Sequence, residues 1–256
     1  MRRIRVIPVL LIQNGGLVKS IRFRKHQYVG DPINAVKIFN EKEVDEIVIL
    51  DISASKERRA PNIRQISEIA GEAFMPLAYG GGITSIDQIK AILQEGAEKV
   101  ILNTSCFDHP QLLREASGQF GSQSIVASID VQKDWLGRYR VFRNNGSVNS
   151  GAGIVEFAKR VEELGAGEIF LTNIERDGTF EGYDLDLISQ VSQSVNIPVV
   201  ACGGAGEVAH FTQAVTQAHA SAVAAGAMFV YQRPHRAVLI SYPTQKELKE
   251  KLFDVV

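Results

Sequence analysis

Two stretches of the chain share one outline. "VIPVLLIQNGGLVKS" (residues 6–20) and "IVASIDVQKDWLGRYRVF" (residues 125–142) each run from an apolar strand into a polar turn. The second run ends in Asp130, a carboxylate where a strand runs out, placed to give or accept a proton. The matching position of the first is Leu11, whose alkyl side chain can do neither. Small residues stand at other strand ends: Gly80-Gly81-Gly82, Asn103-Thr104, Gly203-Gly204 and Ala225-Gly226. Such residues let backbone N–H groups close on an anion, and a helix start adds favourable partial charge. Their recurrence predicts two phosphate sites. One is formed by Gly81, Gly82, Asn103 and Thr104. The other is formed by Gly203, Gly204, Ala225 and Gly226, with Asp177 and Gly178 of the loop "ERDGT" closing over it. Two sites on opposite sides of one mouth imply a substrate with a phosphate at each end.

The elements that must carry these residues follow from hydrophobic periodicity. Eight short apolar runs, "VIPVLLI", "EIVILDI", "MPLAYGG", "EKVILNT", "SIVASID", "EIFLTNI", "IPVVACGG" and "SAVAAGA", alternate with amphipathic stretches such as "SIDQIKAILQEGA". Near-continuous apolar strands joined by helices describe a parallel sheet buried on both faces. Eight units in about 250 residues, without a long Pro- or Ser-rich linker, predict a single (β/α)8 barrel over residues 1–256. In that fold the chemistry sits where strands run into their following loops. An internal repeat supports two half-barrels, about 1–122 and 123–256: "DEIVILD" matches "GEIFLTN", and "LAYGGGI" matches "VVACGGAG" with Gly81 paired to Gly204.

Composition excludes several classes. The 256 residues are 45% hydrophobic and 22% charged with a formal charge of -1, which argues against an electrostatic nucleic-acid binder. The basic start is followed by an apolar run broken by Arg5 and Pro8, so it does not read as a leader, and no run reaches a membrane-spanning length. Two cysteines make no disulfide framework, and five scattered histidines make no metal site. The expectation is a cytoplasmic protein with no metal and no organic cofactor. Cys202 is expected to pack beside the second phosphate loop, and Trp135 and Leu136 to plug a hairpin. Arg22, Arg24, Lys25 and His26 form a basic first loop able to attract a phosphorylated or nucleotide-linked substrate. Arg5, Glu46, Lys99 and Glu168 stand at strand starts, the composition of an ion-pair ring at the opposite end of the barrel.

The chain resembles the cyclase subunit of imidazole glycerol phosphate synthase over essentially its whole length. The resemblance is carried by "GDP" at 30–32, "LDISAS", "YGGGI", "LNT", "FGSQ", "ASID", "GAGEI", "ERDGT.EGYD" and "CGGAG". It implies a barrel that takes ammonia from a separate glutaminase, a class I glutamine amidotransferase docked on its N-terminal face. That ammonia acts on a bis-phosphorylated aminoimidazole carboxamide ribonucleotide. The resemblance puts two acids at the mouth, one at Asp130 and one at the position occupied here by Leu11. It places Lys19, Asp51 and Thr172 as supporting residues, and makes Arg5, Glu46, Lys99 and Glu168 the gate for ammonia. A chain that keeps inlet and phosphate grips but lacks one acid matches relatives that supply ammonia for turning a sugar acetamido group into an acetamidino group, with a further sugar-modifying protein as a third partner. Two alternatives stand beside it: a histidine-pathway cyclase in which Lys19 or Asp51 replaces the missing base, and a noncatalytic phosphate-binding barrel.

Overall fold

The computed structural model describes residues 4–232 and 234–256; the basic start at 1–3 lies outside them. Eight parallel strands form a closed ring: β1 (Arg5–Gln13), β2 (Ile47–Asp51), β3 (Leu77–Gly80), β4 (Lys99–Leu102), β5 (Ile125–Lys133), β6 (Glu168–Asn173), β7 (Val199–Cys202) and β8 (Ala222–Ala225). Each pairs with the next, and β8 returns to β1. The fold is a (β/α)8 barrel, as the alternation of apolar runs and amphipathic stretches predicts. Helices α1 (Pro32–Glu41), α2 (Ile63–Ala70), α3 (Ile86–Gln94), α4 (Gln111–Phe120), α5 (Ile154–Glu163), α6 (Leu185–Ser192) and α7 (Val208–Ala218) follow the first seven strands. Among the described residues no helix is long and apolar enough to cross a membrane.

The two-residue period of a strand sorts the side chains into two cores. In β1, Val6, Leu10 and Ile12 face the helices, while Ile7 and Val9 face the barrel axis. The axial core is built largely of small or β-branched residues: Val48, Ala78, Val126, Val200, Ala222 and Ala224. Leu11 and Leu50 pack onto its upper end. Side chains at the N-cap start several of these helices. Asp31 accepts from the Asn34 N–H at 2.9 Å with Pro32 at the first helical position, and Asp184 accepts from the Leu187 N–H at 3.2 Å.

Two antiparallel ribbons rise from the mouth, after β1 and after β5. The first is Gly16–Ile21 with Arg24–Gly30, the second Tyr139–Arg143 with Val148–Gly153. These ribbons are the shared outline of the two stretches. Register makes the correspondence of positions explicit. Leu11 lies beside Leu50 and Asp130 beside Thr172, while Leu50 and Thr172 are themselves 122 residues apart. Leu11 is thus the structural counterpart of Asp130. The same offset links Gly80 to Cys202 through their pairing with Leu50 and Thr172. It therefore pairs Gly81 with Gly203 and corrects the sequence alignment of Gly81 to Gly204 by one position. Sequence similarity in the glycine runs is insensitive to a one-residue slip; strand register is not.

Candidate active site

At the N-terminal end of the barrel, Arg5, Glu46, Lys99 and Glu168 make one network. Lys99 Nζ lies 3.0 Å from Glu46 Oε2 and 2.9 Å from Glu168 Oε2, and the Arg5 guanidinium bonds both carboxylates as well. Each cation therefore bridges both anions, tying the starts of β1, β2, β4 and β6. Burial works against the Arg5 charge, but the bonds and fields of Glu168 and Glu46 more than offset it and hold its pKa above the ordinary value.

At the opposite end a cleft of about 1040 Å³, counting solvent at its mouth, is lined from all sides of the ring. Its floor is apolar on the side of Val9, Leu11 and Leu50 and polar on the side of Asp130, Thr172 and Asp177. Asp130 is buried, and its pKa is pushed up to about 7, first by burial and then by the negative charge of Asp177. Asp177 is pushed up to about 6 by burial, with Lys19 and Ser20 pulling it back. Lys19 folds into the barrel, where its ammonium bonds the Val9 carbonyl and lies against Gly226. Burial lowers its pKa to about 8, opposed by Asp177. Three groups in one cleft thus have pKa values between about 6 and about 8, the range suited to proton transfer near neutral pH.

The remaining candidates divide by what their side chains already hold. Asp51 accepts from the Ser53 and Ala54 N–H groups, both at 3.1 Å, and from Arg59 Nη2 at 3.0 Å. Through these donors it organises the 52–59 loop, and it lines the cleft as well. Asn103 donates to Asp130 Oδ2 at 3.3 Å and to the Ser128 carbonyl at 3.1 Å, so its amide orients the acid. The Thr104 hydroxyl meets Asn144 of the second ribbon. Thr172 interacts with the Cys202 thiol, whose pKa burial raises to about 12, which leaves Cys202 inert as a nucleophile.

Of the residues expected to grip phosphate, Gly81, Gly82, Asn103, Thr104, Asp177 and Gly226 line the cleft. Gly178, Gly203, Gly204 and Ala225 do not; Gly178 packs on the Ser20 carbonyl, and the Gly204 carbonyl accepts from Gly182 at 2.8 Å. Gly81 and Gly203 share one constraint. Both have positive φ (126° and 88°), and a Cβ on either would collide with the backbone of the preceding strand's end, Asp51 or Asn173. Gly81→Ala should therefore shift both the strand end and Asp51. The expected loss of stability is about 1–3 kcal/mol, read as a lowered urea midpoint; an unchanged midpoint would show that the loop relaxes freely.

Three features of the site escaped the sequence: Arg59 on Asp51, Ser55 accepting from the Gly82 N–H at 3.3 Å, and the cleft-lining Phe23; His26, named for its charge, lines the cleft as well. The "RFRKH" run pointed to charge, but nothing local indicated that its Phe and His turn inward. Trp135 and Leu136 stand 88% and 51% exposed, so the ribbon tip projects into solvent where a plug was expected.

Known proteins match this arrangement over nearly its full extent. The family described as "Histidine biosynthesis protein" matches residues 5–234. A protein from Pseudomonas aeruginosa named putative imidazole glycerol phosphate synthase subunit hisF2 is 48% identical over 97% of this chain and 99% of its own. One from Vibrio vulnificus, named putative imidazole glycerol phosphate synthase subunit hisF3, is 44% identical over 98% and 97%. The imidazole glycerol phosphate synthase subunit HisF of Clostridium botulinum is 42% identical over 98% of each chain.

Proposed function

The chain belongs to the histidine biosynthesis protein family, and from that premise we propose that it is an ammonia-using synthase subunit whose acceptor is a sugar acetamido group. A glutaminase docks on the N-terminal face, around the Arg5–Glu46–Lys99–Glu168 network, and ammonia enters there. The axial core of Val48, Ala78, Val126, Val200, Ala222 and Ala224 suits neutral ammonia and disfavours ammonium, since an unpaired charge is expensive to bury. A further sugar-modifying protein first converts the acetamido oxygen to a phosphate ester at the expense of a nucleoside triphosphate. At the mouth ammonia adds to the acetamido carbon, and the C–O bond breaks with the oxygen leaving in inorganic phosphate. Asp130, held by Asn103, supplies the proton.

One observation carries this reading. Leu11 and Leu50 pack onto the apolar axis at the positions where the other half of the barrel presents Asp130 and Thr172, while all four floor charges are present. Ring closure of a bis-phosphorylated aminoimidazole carboxamide ribonucleotide needs a donor and an acceptor of protons on the two sides of the mouth, and here the counterpart of Asp130 is the hydrocarbon side chain of Leu11. Purified chain with its glutaminase should release ammonia from glutamine yet form no imidazole glycerol phosphate. Efficient formation of that product would defeat the proposal.

A second reading, a histidine-pathway cyclase, is favoured by Asp177, a second carboxylate in the same cleft beside Lys19. The Leu11→Asp variant separates the two. If the missing acid is what prevents ring closure, restoring it should raise imidazole formation by about 10²–10⁴-fold, the usual worth of a general acid or base. Full activity before the change and no gain after it would assign the role to Asp177 and Lys19.

A further inference from the structure

The rim of the mouth carries charge that neither the floor network nor the cleft chemistry uses. The tip of the first ribbon presents Arg22, Arg24 and Lys25, and the loop after β2 presents Lys56 and Arg58, all exposed. No ion-pair partner is found for any of the five among the described residues; the one acid between Ser53 and Ala60, Glu57, is bonded to Arg59. The two groups flank one opening: His26, next to Lys25, and Ser55, next to Lys56, both line the cleft. His26 lines the cleft, and its pKa is lowered by burial and then by the charge of Lys56. Phe23 also lines the cleft and reaches across to Gly146, so the basic rim is continuous with the interior.

Assembling this rim works against the fold. Arg22 and Phe23 occupy a two-residue turn closed by the Ile21–Arg24 pair, both with positive φ (55° and 58°), where Asn-Gly is the favoured sequence. Lys25 (φ 53°) and Arg58 (φ 52°) are also left-handed. Bulky residues in that region are strained, and such strain collects at ligand clamps. Like charges without counter-charges repel. A chain of net charge -1 gains no stability by gathering five cations around one opening; a bound polyanion would remove the repulsion.

We propose that the rim between the first ribbon and the 52–58 loop is a clamp for the diphosphate of a sugar diphosphate ester, with the sugar pointing down into the cleft toward Asp130. This deepens the amidation proposal and rests on it for the sugar. The clamp lies outside the glycine loops, so it takes the activated end of the acceptor while the acetamido group approaches the nitrogen outlet. Diphosphate-linked sugars occur as nucleotide and as lipid derivatives, and the cations read the group the two share.

The test is calorimetric titration of the full chain with UDP-N-acetylglucosamine and, in a parallel arm, with a short-chain polyprenyl-diphosphate N-acetylglucosamine. Inorganic phosphate serves as the control ligand. The variant Arg24→Ala/Lys25→Ala/Lys56→Ala changes only exposed side chains. It should weaken binding of at least one diphosphate sugar tenfold or more and leave inorganic phosphate binding unchanged; the arm that responds identifies the source. Equal affinity of variant and wild type would place the diphosphate on the internal loops and overturn the clamp, as would no uptake of either sugar at millimolar concentration. The titration needs neither glutaminase nor ammonia. A failure of amidation with charge-dependent binding intact would sink the amidation reading and leave the clamp standing.

Discussion

Asp130→Asn should lower acceptor turnover by about 10²–10⁴-fold, the range lost with a general acid or base, and at the same time make the protein more stable above neutral pH. The two effects share one cause. Asp130 is buried beside Asp177, so it keeps its proton to about pH 7, whereas the ordinary carboxyl loses it near 3.8. Between those values the native state binds more protons than the unfolded one, so the free energy of unfolding falls as pH rises from about 4 to about 7. Above pH 7 the native state carries the whole penalty, about 4 kcal/mol at roughly 1.4 kcal/mol per pKa unit. Asparagine preserves the shape and removes the penalty. Denaturation midpoints of wild type and variant should therefore nearly coincide at pH 4 and diverge in favour of the variant by pH 8. In parallel, the limb of the pH–rate profile near 7 should vanish. Because Asp130 and Asp177 interact, that limb reports the cleft as a unit. A variant with intact turnover would make Asp130 a bystander; one with lost turnover but no gain in stability would mean that Asp130 is ionised in the native protein.

Glu46→Ala is the second large effect. Glu46 is buried and bonds both Arg5 and Lys99; without it two cations share Glu168 alone. Removing one member of a buried network leaves uncompensated charge and costs about 3–5 kcal/mol. In a chain of this size that corresponds to a fall in melting temperature on the order of 10 °C. The double variant Glu46→Ala/Lys99→Ala should recover part of the loss, since it removes a cation along with the anion. If the network gates ammonia, Glu46→Ala should also raise the glutamine consumed per acceptor modified, because nitrogen escapes before it reaches the mouth. Loss of stability with unchanged stoichiometry would reduce the quartet to a structural tie.

The residues that define the site differ in how openly the sequence displays them. Asp130 and Leu11 could be compared from the sequence because each stands near the end of a near-continuous apolar run that breaks into a polar turn, and the resemblance pairs the two positions. The four floor charges were visible for the same reason, as polar residues at the starts of otherwise apolar strands. Asp51 was harder. Its position at a strand end is plain, but its partner Arg59, eight residues on, folds back across a loop with no periodic pattern. Asn103 reads as a phosphate ligand until β4 and β5 are laid side by side, when its amide meets Asp130. Lys19 reads as a loop cation and is instead the most deeply buried ammonium of the cleft.

By itself, the sequence determined the barrel, its eight strands, the family, and the absence of an acid at position 11. These are consequences of local periodicity and of residue types at strand ends, where one segment specifies its own environment. Only the tertiary structure decided the pairing of Gly81 with Gly203, the bond between Arg59 and Asp51, the clustering of Asp130, Asp177 and Lys19, and the turning of Phe23 and His26 into the cleft. Each of these depends on the distance between segments remote in the chain. Charge interactions and desolvation act through that distance, and composition does not contain it.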